Sequence, residues 1–135
     1  MRRALQITAL VLGLSLGTAT RTPAQSANSA WQSTPASVLK SALRNLVAAQ
    51  DKYRASHAKY ASSIETLRLN PGSDVKIQVL AVTERGWRAK ATHRARPGRS
   101  CVIFVGRVRL SDAPRTDADG NMAGEERVPL CDRME

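Results

Sequence analysis

From Thr34 onward the spacing of hydrophobic positions changes along the chain, and the changes divide it into elements. Between Thr34 and about Ser56 the apolar residues recur at helical spacing. On a helical wheel Leu39, Leu43, Leu46, Gln50 and Tyr53 fall within roughly 80° of one another. Ala42, Val47 and Ala49 flank this stripe, and Lys40, Arg44 and Asp51 lie opposite. Thr34-Pro35 supplies an N-cap followed by proline at the first helical position, where a missing N–H costs nothing. The pattern predicts one amphipathic helix of roughly 20 residues, about 30 Å long. Its apolar face is Leu and Ala without Trp or Phe, which favours packing on a core over lying in a membrane surface.

His57-Ala58-Lys59 interrupts that period between Tyr53 and Tyr60. Ser62 to Glu65 has the spacing of a capping box, predicting a short second helix with Ile64 and Leu67 turned inward. Asn70-Pro71-Gly72 then brings turn chemistry. Beyond it the period becomes two. Val75, Ile77, Val79 and Ala81 alternate with Lys76, Gln78, Leu80 and Val82, giving a first strand. After the tight connection at Glu84-Arg85-Gly86, Trp87, Ala89 and Ala91 alternate with Arg88, Lys90 and Thr92 in a second. Residues 94–100, with Pro97-Gly98, turn the chain again. Cys101 to Val105 is a third, apolar strand, and Gly106 marks a bulge or a strand end. Connections this short imply antiparallel pairing. The expected architecture is α+β: a long N-terminal helix packed on a three-stranded antiparallel meander.

The first 33 residues have a different character. Arg2 and Arg3 precede an apolar run from Ala4 to Leu16, followed by small residues and Pro23. This is the layout of a secretory signal peptide, with cleavage expected after Ala24. The run is shorter than the ~20 residues a spanning helix needs. Residues 25–33 are small and polar and read as a flexible linker, leaving residues 34–135 as a single domain. Export places the chain in the periplasm or outside the cell. There, two cysteines are expected to pair, Cys101 with Cys131, closing a loop of about 30 residues worth roughly 3–4 kcal/mol.

The net charge is +10 for the whole chain. Removing residues 1–24 takes away Arg2, Arg3 and Arg21 and leaves 18 basic against 11 acidic residues. The excess is concentrated between Arg85 and Arg109, where eight basic residues occur without an acidic one. Arg85, Arg88, Lys90, Arg94, Arg96 and Arg99 are the candidates for holding an anionic ligand, whether polysaccharide, nucleic acid or membrane surface. The plainer reading is a solvated sheet face with Trp87 as a core anchor on the opposite side.

Asp117, Asp119 and Asn121 carry oxygens at alternate positions, as calcium loops do, and are the candidate metal ligands. Glycine at the fourth position and Val128 at the twelfth break the EF-hand register, which favours a solvated acidic loop. His57 and His93 stand apart, without a recognisable triad partner. Glycine-rich phosphate loops, paired-carboxylate motifs and metal-spaced clusters are not found. The sequence therefore reads as non-enzymatic and as needing no cofactor, with calcium the one candidate.

The order of these segments resembles a known family. The run Gln50-Asp51-Lys52-Tyr53-Arg54-Ala55-Ser56-His57-Ala58-Lys59-Tyr60-Ala61-Ser62-Ser63-Ile64-Glu65-Thr66-Leu67 is similar to the part of type IV pilins and type II secretion pseudopilins where the long helix leads through a tyrosine-bearing turn. Gly86-Trp87 opening a strand, the Cys101 strand and the Val128-Pro129-Leu130-Cys131 ending are similar too. The resemblance covers about residues 36–131. It does not extend to the family's glycine-ended basic leader or its Phe-Thr-Leu-Ile-Glu motif. It implies a pilin-like headgroup with a disulfide-closed C-terminal loop. It also implies a structural or protein-interaction role in the bacterial envelope, linked to pilus or type II secretion machinery, with other envelope or pilin-like proteins as partners. A calcium site in that loop is also known in major pseudopilins.

Overall fold

The computed structural model describes residues 34–135, so the expected signal peptide and linker lie outside the described residues. The helix forms where the wheel places it. α1 runs from Pro35 to His57, capped by Thr34, whose side chain accepts the Ser37 N–H at 3.2 Å. It ends at Ala58, which enters the left-handed region at φ 56° and returns its N–H to the Arg54 carbonyl. Leu39, Ala42, Leu43, Leu46 and Gln50 are buried along one stripe. Leu39, Leu43 and Leu46 have no exposed surface, and each contributes about 1.5–3 kcal/mol of burial.

The segment after the helix departs from expectation. Instead of a second helix it makes a single turn. The Ser63 hydroxyl, rather than Ser62, accepts the Thr66 N–H, and Arg68 takes a left-handed conformation at φ 52°. The Arg68 N–H bonds Glu65 and the Leu69 N–H bonds Ile64, which is the closure of a Schellman motif one turn after the start. Ile64 and Leu67 still pack against the core.

The sheet has four strands in the order β1-β2-β3-β4, all antiparallel: β1 Val75–Thr83, β2 Gly86–His93, β3 Ser100–Gly106 and β4 Leu130–Cys131. The expected meander therefore gains a strand. Leu130-Cys131 offers only two residues, too few for a period to register in sequence, yet it pairs Cys101↔Cys131 and Val102↔Leu130. The two cysteines face each other across that pairing, Cα to Cα 3.9 Å, and are joined by the disulfide.

Strand β1 contains a second correction. The register shifts between Val79 and Ala81, so Leu80 has no partner in β2. A strand's faces alternate, so one extra residue inverts the remainder of β1. Val82 now pairs with Trp87 and packs on the core, while Ala81 pairs with Arg88 on the other face. One sheet face, with Val75, Ile77, Trp87, Ala89, Ala91, Cys101, Ile103 and Val105, meets the leucine stripe of α1 in a single core.

The opposite face is not open throughout. The C-terminal segment folds back near β3, where Asp117 and Asp132 bond Ser100, and Ser100, Val102, Thr116, Ala123 and Asp132 are all buried. Two glycines close the β1–β2 turn onto the end of β3. Gly86 and Gly106 are register partners, and a Cβ at either would overlap the backbone carbonyl of Val105 or Arg85 respectively. Gly106 is also at φ 85°, where other residues are strained.

Candidate functional site

The six arginines and lysines expected on a basic strand surface are divided among three places. Arg88 and Lys90 lie mid-sheet and half-buried, both bonded to the C-terminal segment. Arg88 donates to the carbonyl of Asp112, and Lys90 pairs with Asp117 at 3.0 Å. Arg94, Arg96 and Arg99 gather around the β2–β3 turn at one end of the sheet. Arg94 is paired with Asp74 at 3.5 Å, Arg96 donates to the Met134 carbonyl at 2.8 Å, and Arg99 donates to the Arg133 carbonyl. Arg85 sits at the other end, in the β1–β2 turn, exposed. A continuous basic strip does not form, because side chains that alternate along β2 meet acceptors supplied by the returning C-terminus.

The acidic loop is organised around a residue that sequence reasoning missed. Asp132 follows β4 and is 3% exposed. Its Oδ2 accepts N–H bonds from Ser100 at 2.8 Å and Ala118 at 3.1 Å, and its Oδ1 accepts one from Asp119 at 2.7 Å. Burial by itself raises the carboxyl pKa. Bonds from the Thr116 hydroxyl and from those three backbone N–H groups outweigh it and hold the group at about 2, below the usual carboxylate range. The backbone N–H of Asp132 bonds the Ser100 carbonyl, and the Ser100 hydroxyl accepts the Asp117 N–H at 2.8 Å.

This network accounts for the carboxylates at 117 and 119. The Asp117 carboxylate faces Lys90, and Asp119 Oδ2 accepts the Arg133 N–H at 2.8 Å. Asn121 donates its backbone N–H to Thr116 Oγ1 at 3.0 Å. The loop turns backbone donors inward, onto an internal anion, where a hard-cation site requires six or more oxygens turned inward. Among the described residues no group of three or more His, Cys, Asp or Glu is placed to hold a metal ion.

The two tyrosines of the helix-to-turn segment have distinct surroundings. Tyr60 is buried, accepts a bond from Arg54 at its hydroxyl, and lies with its ring centroid 4.6 Å beneath the Arg54 guanidinium. Tyr53 is half-exposed and stacks on His57 with centroids 3.9 Å apart. His57 caps the last turn by contact with the Tyr53 carbonyl, and His93 accepts the Ala95 N–H. Both histidines are thus engaged locally rather than with a nucleophile.

A cleft of about 690 Å³ opens at the β1–β2 turn end of the sheet. The turn and the end of β1 form one wall, and the segment after β3 forms the other, including the single 3₁₀ turn Leu110–Asp112. Arg85, Arg88, Arg107 and Arg109 line it, with Glu84 and Asp112 as its acidic members. Trp87 also borders it. Among the described residues its indole Nε1 is the one buried side-chain nitrogen or oxygen without a hydrogen-bond partner. In sequence Arg107 and Arg109 belong to the basic run, but only the Gly86–Gly106 approach places them across from Arg85.

No helix among the described residues is long and apolar enough to cross a membrane. No known family model matches this chain, and no curated protein matches it.

Proposed function

We propose that this chain is an exported, non-enzymatic, pilin-like domain of the bacterial envelope that acts through protein interaction, in association with pilus or type II secretion machinery. One observation carries the reading. A long helix packs Leu39, Ala42, Leu43 and Leu46 on an antiparallel sheet, and the C-terminal segment is fastened to that sheet by Cys101–Cys131. The sequence of helix, tyrosine-bearing turn, antiparallel strands and disulfide-closed ending supports the reading, with a single turn in place of the expected second helix and four strands in place of three. A disulfide between the only two cysteines supports an oxidising compartment.

The competing reading is a secreted module that binds an anionic ligand through the strand surface 85–109. It has less support there, because Arg88 and Lys90 are bonded to the C-terminal segment. Affinity for an anionic polymer that disappears in Arg88→Gln and Lys90→Gln variants would favour it.

Export is tested by isolating the protein from cell fractions and measuring its mass. A periplasmic or extracellular product beginning at Gln25 is expected. A cytoplasmic product, or one retaining residues 1–24, contradicts the reading.

A further inference from the structure

The arginines around the β1–β2 turn cleft differ from the chain's other clustered arginines in what they touch. At the opposite end of the sheet Arg94, Arg96 and Arg99 each donate to a protein oxygen. In the cleft only Arg88 does so, and its bond to the Asp112 carbonyl holds the 3₁₀ turn in place as a wall. Arg85, Arg107 and Arg109 are exposed, and their guanidinium groups make no hydrogen bond or ion pair among the described residues. Neither Glu84 nor Asp112 forms a salt bridge with any of them, although both line the same cleft. Like charges are brought together here by backbone geometry. Gly86 and Gly106 pass so closely that the residues flanking them, Arg85 and Arg107, are forced to the same end of the sheet.

Three exposed guanidinium groups around one concavity, none of them bonded to a carboxylate, give the cleft a positive field that favours an entering anion. Each presents parallel N–H donors that match an oxyanion edge. A volume of about 690 Å³ suits a small molecule rather than a single ion. Ala81 and Val108 add apolar surface to the same cleft. We propose that this cleft binds a multiply charged phosphate group, with Arg85, Arg107 and Arg109 as its direct donors and Arg88 as the residue that positions the wall. The proposal does not depend on the pilin-like reading, and either stands if the other fails. Leu110, 79% exposed on the adjoining 3₁₀ turn, sets an apolar side chain next to these arginines. The phosphate therefore belongs either to a free small molecule or to a lipid headgroup.

The test is calorimetric titration of the purified, disulfide-bonded protein with inorganic triphosphate at low salt. An Arg85→Gln/Arg107→Gln double variant and an Arg109→Gln variant are compared with an Arg94→Gln/Arg96→Gln control that removes the same charge elsewhere. Saturable binding is expected, weakened about ten-fold or more by the cleft variants and about two-fold or less by the control. Absence of saturable binding overturns the proposal, as does an equal loss in the control, which would mean net charge alone is responsible. A second arm uses vesicles of phosphatidylglycerol against phosphatidylcholine. Retention by the anionic vesicles that is lost in the cleft variants assigns the phosphate to lipid. Triphosphate binding without vesicle binding assigns it to a free ligand. Thermal midpoints equal to that of the unmodified protein show that the variants are folded, and Arg109→Gln, outside the close glycine approach, keeps the test open if the double variant is not.

Discussion

The side-chain amide of Gln50 makes both backbone hydrogen bonds of Ala61: its Nε2 donates to the Ala61 carbonyl and its Oε1 accepts the Ala61 N–H, each at 2.8 Å. Gln50 has no exposed surface, and Ala61 is 2% exposed. The chain leaving α1 is thus tied back to the helix in the manner of a strand pair, with a side chain standing for the second backbone. The pairing also fixes which way the amide points, since only one orientation matches a donor with an acceptor.

Removing that amide leaves two buried backbone groups without partners. Gln50→Leu is expected to lose about 2–4 kcal/mol despite its greater hydrophobicity, and Gln50→Glu also loses stability because a carboxylate then faces the Ala61 carbonyl. Chemical denaturation checks both. A Gln50→Leu variant as stable as the parent would show the bonds to be dispensable.

Gln50 also shows where the sequence was legible. A polar residue on an otherwise apolar stripe stands out on a helical wheel, although its partner eleven residues away does not. Periods of 3.6 and 2 reported α1, β2 and β3 well, because leucines and alternating Trp87, Ala89 and Ala91 each mark a buried face. They misreported β1 after Val79, since a bulge changes the face without changing the residue types. β4 escaped detection because two residues carry no period. The cleft arginines were visible as charge, but their grouping depends on Gly86 meeting Gly106. Asp132 gave no signal, since nothing local distinguishes it from Asp112 or Asp119.

Asp132 makes acid sensitivity predictable in sign. Its folded pKa of about 2 lies below the ordinary value of 3.8, so folding favours the ionised form. The resulting stability is complete above about pH 5 and is lost as the pH falls through 4 toward 2, a total of about 2 kcal/mol. Thermal melts across that range should show the midpoint falling, and Asp132→Asn should be less stable at neutral pH with a flatter acid dependence. An unchanged profile in the variant would show that Asp132 does not govern it.

Reduction of Cys101–Cys131 frees β4 and the segment that covers Ser100 and Val102. Cys101→Ser/Cys131→Ser is expected to lose about 3–4 kcal/mol. Hydrogen exchange should rise first at Ala118, Asp119 and Asp132, whose N–H groups depend on the fastened ending. Uniform acceleration across α1 and the C-terminus together would instead indicate that the fold opens as one unit.

The inward donors of the 117–121 loop give a further expectation. Millimolar calcium and excess chelator should leave the same thermal midpoint, because Asp117 and Asp119 already face Lys90 and the Arg133 N–H. A midpoint that rises with calcium and returns with chelator would restore a cation site to this loop.

The claim that this is a pilin-like interaction domain of the envelope is tested most directly by photo-crosslinking in intact cells, from exposed positions Arg44 and Lys52 on α1 and from Leu110. The adducts are identified by mass spectrometry. The account predicts crosslinks to envelope proteins of the pilin or pseudopilin type. Adducts confined to cytoplasmic proteins, or none from any of the three positions, would contradict it.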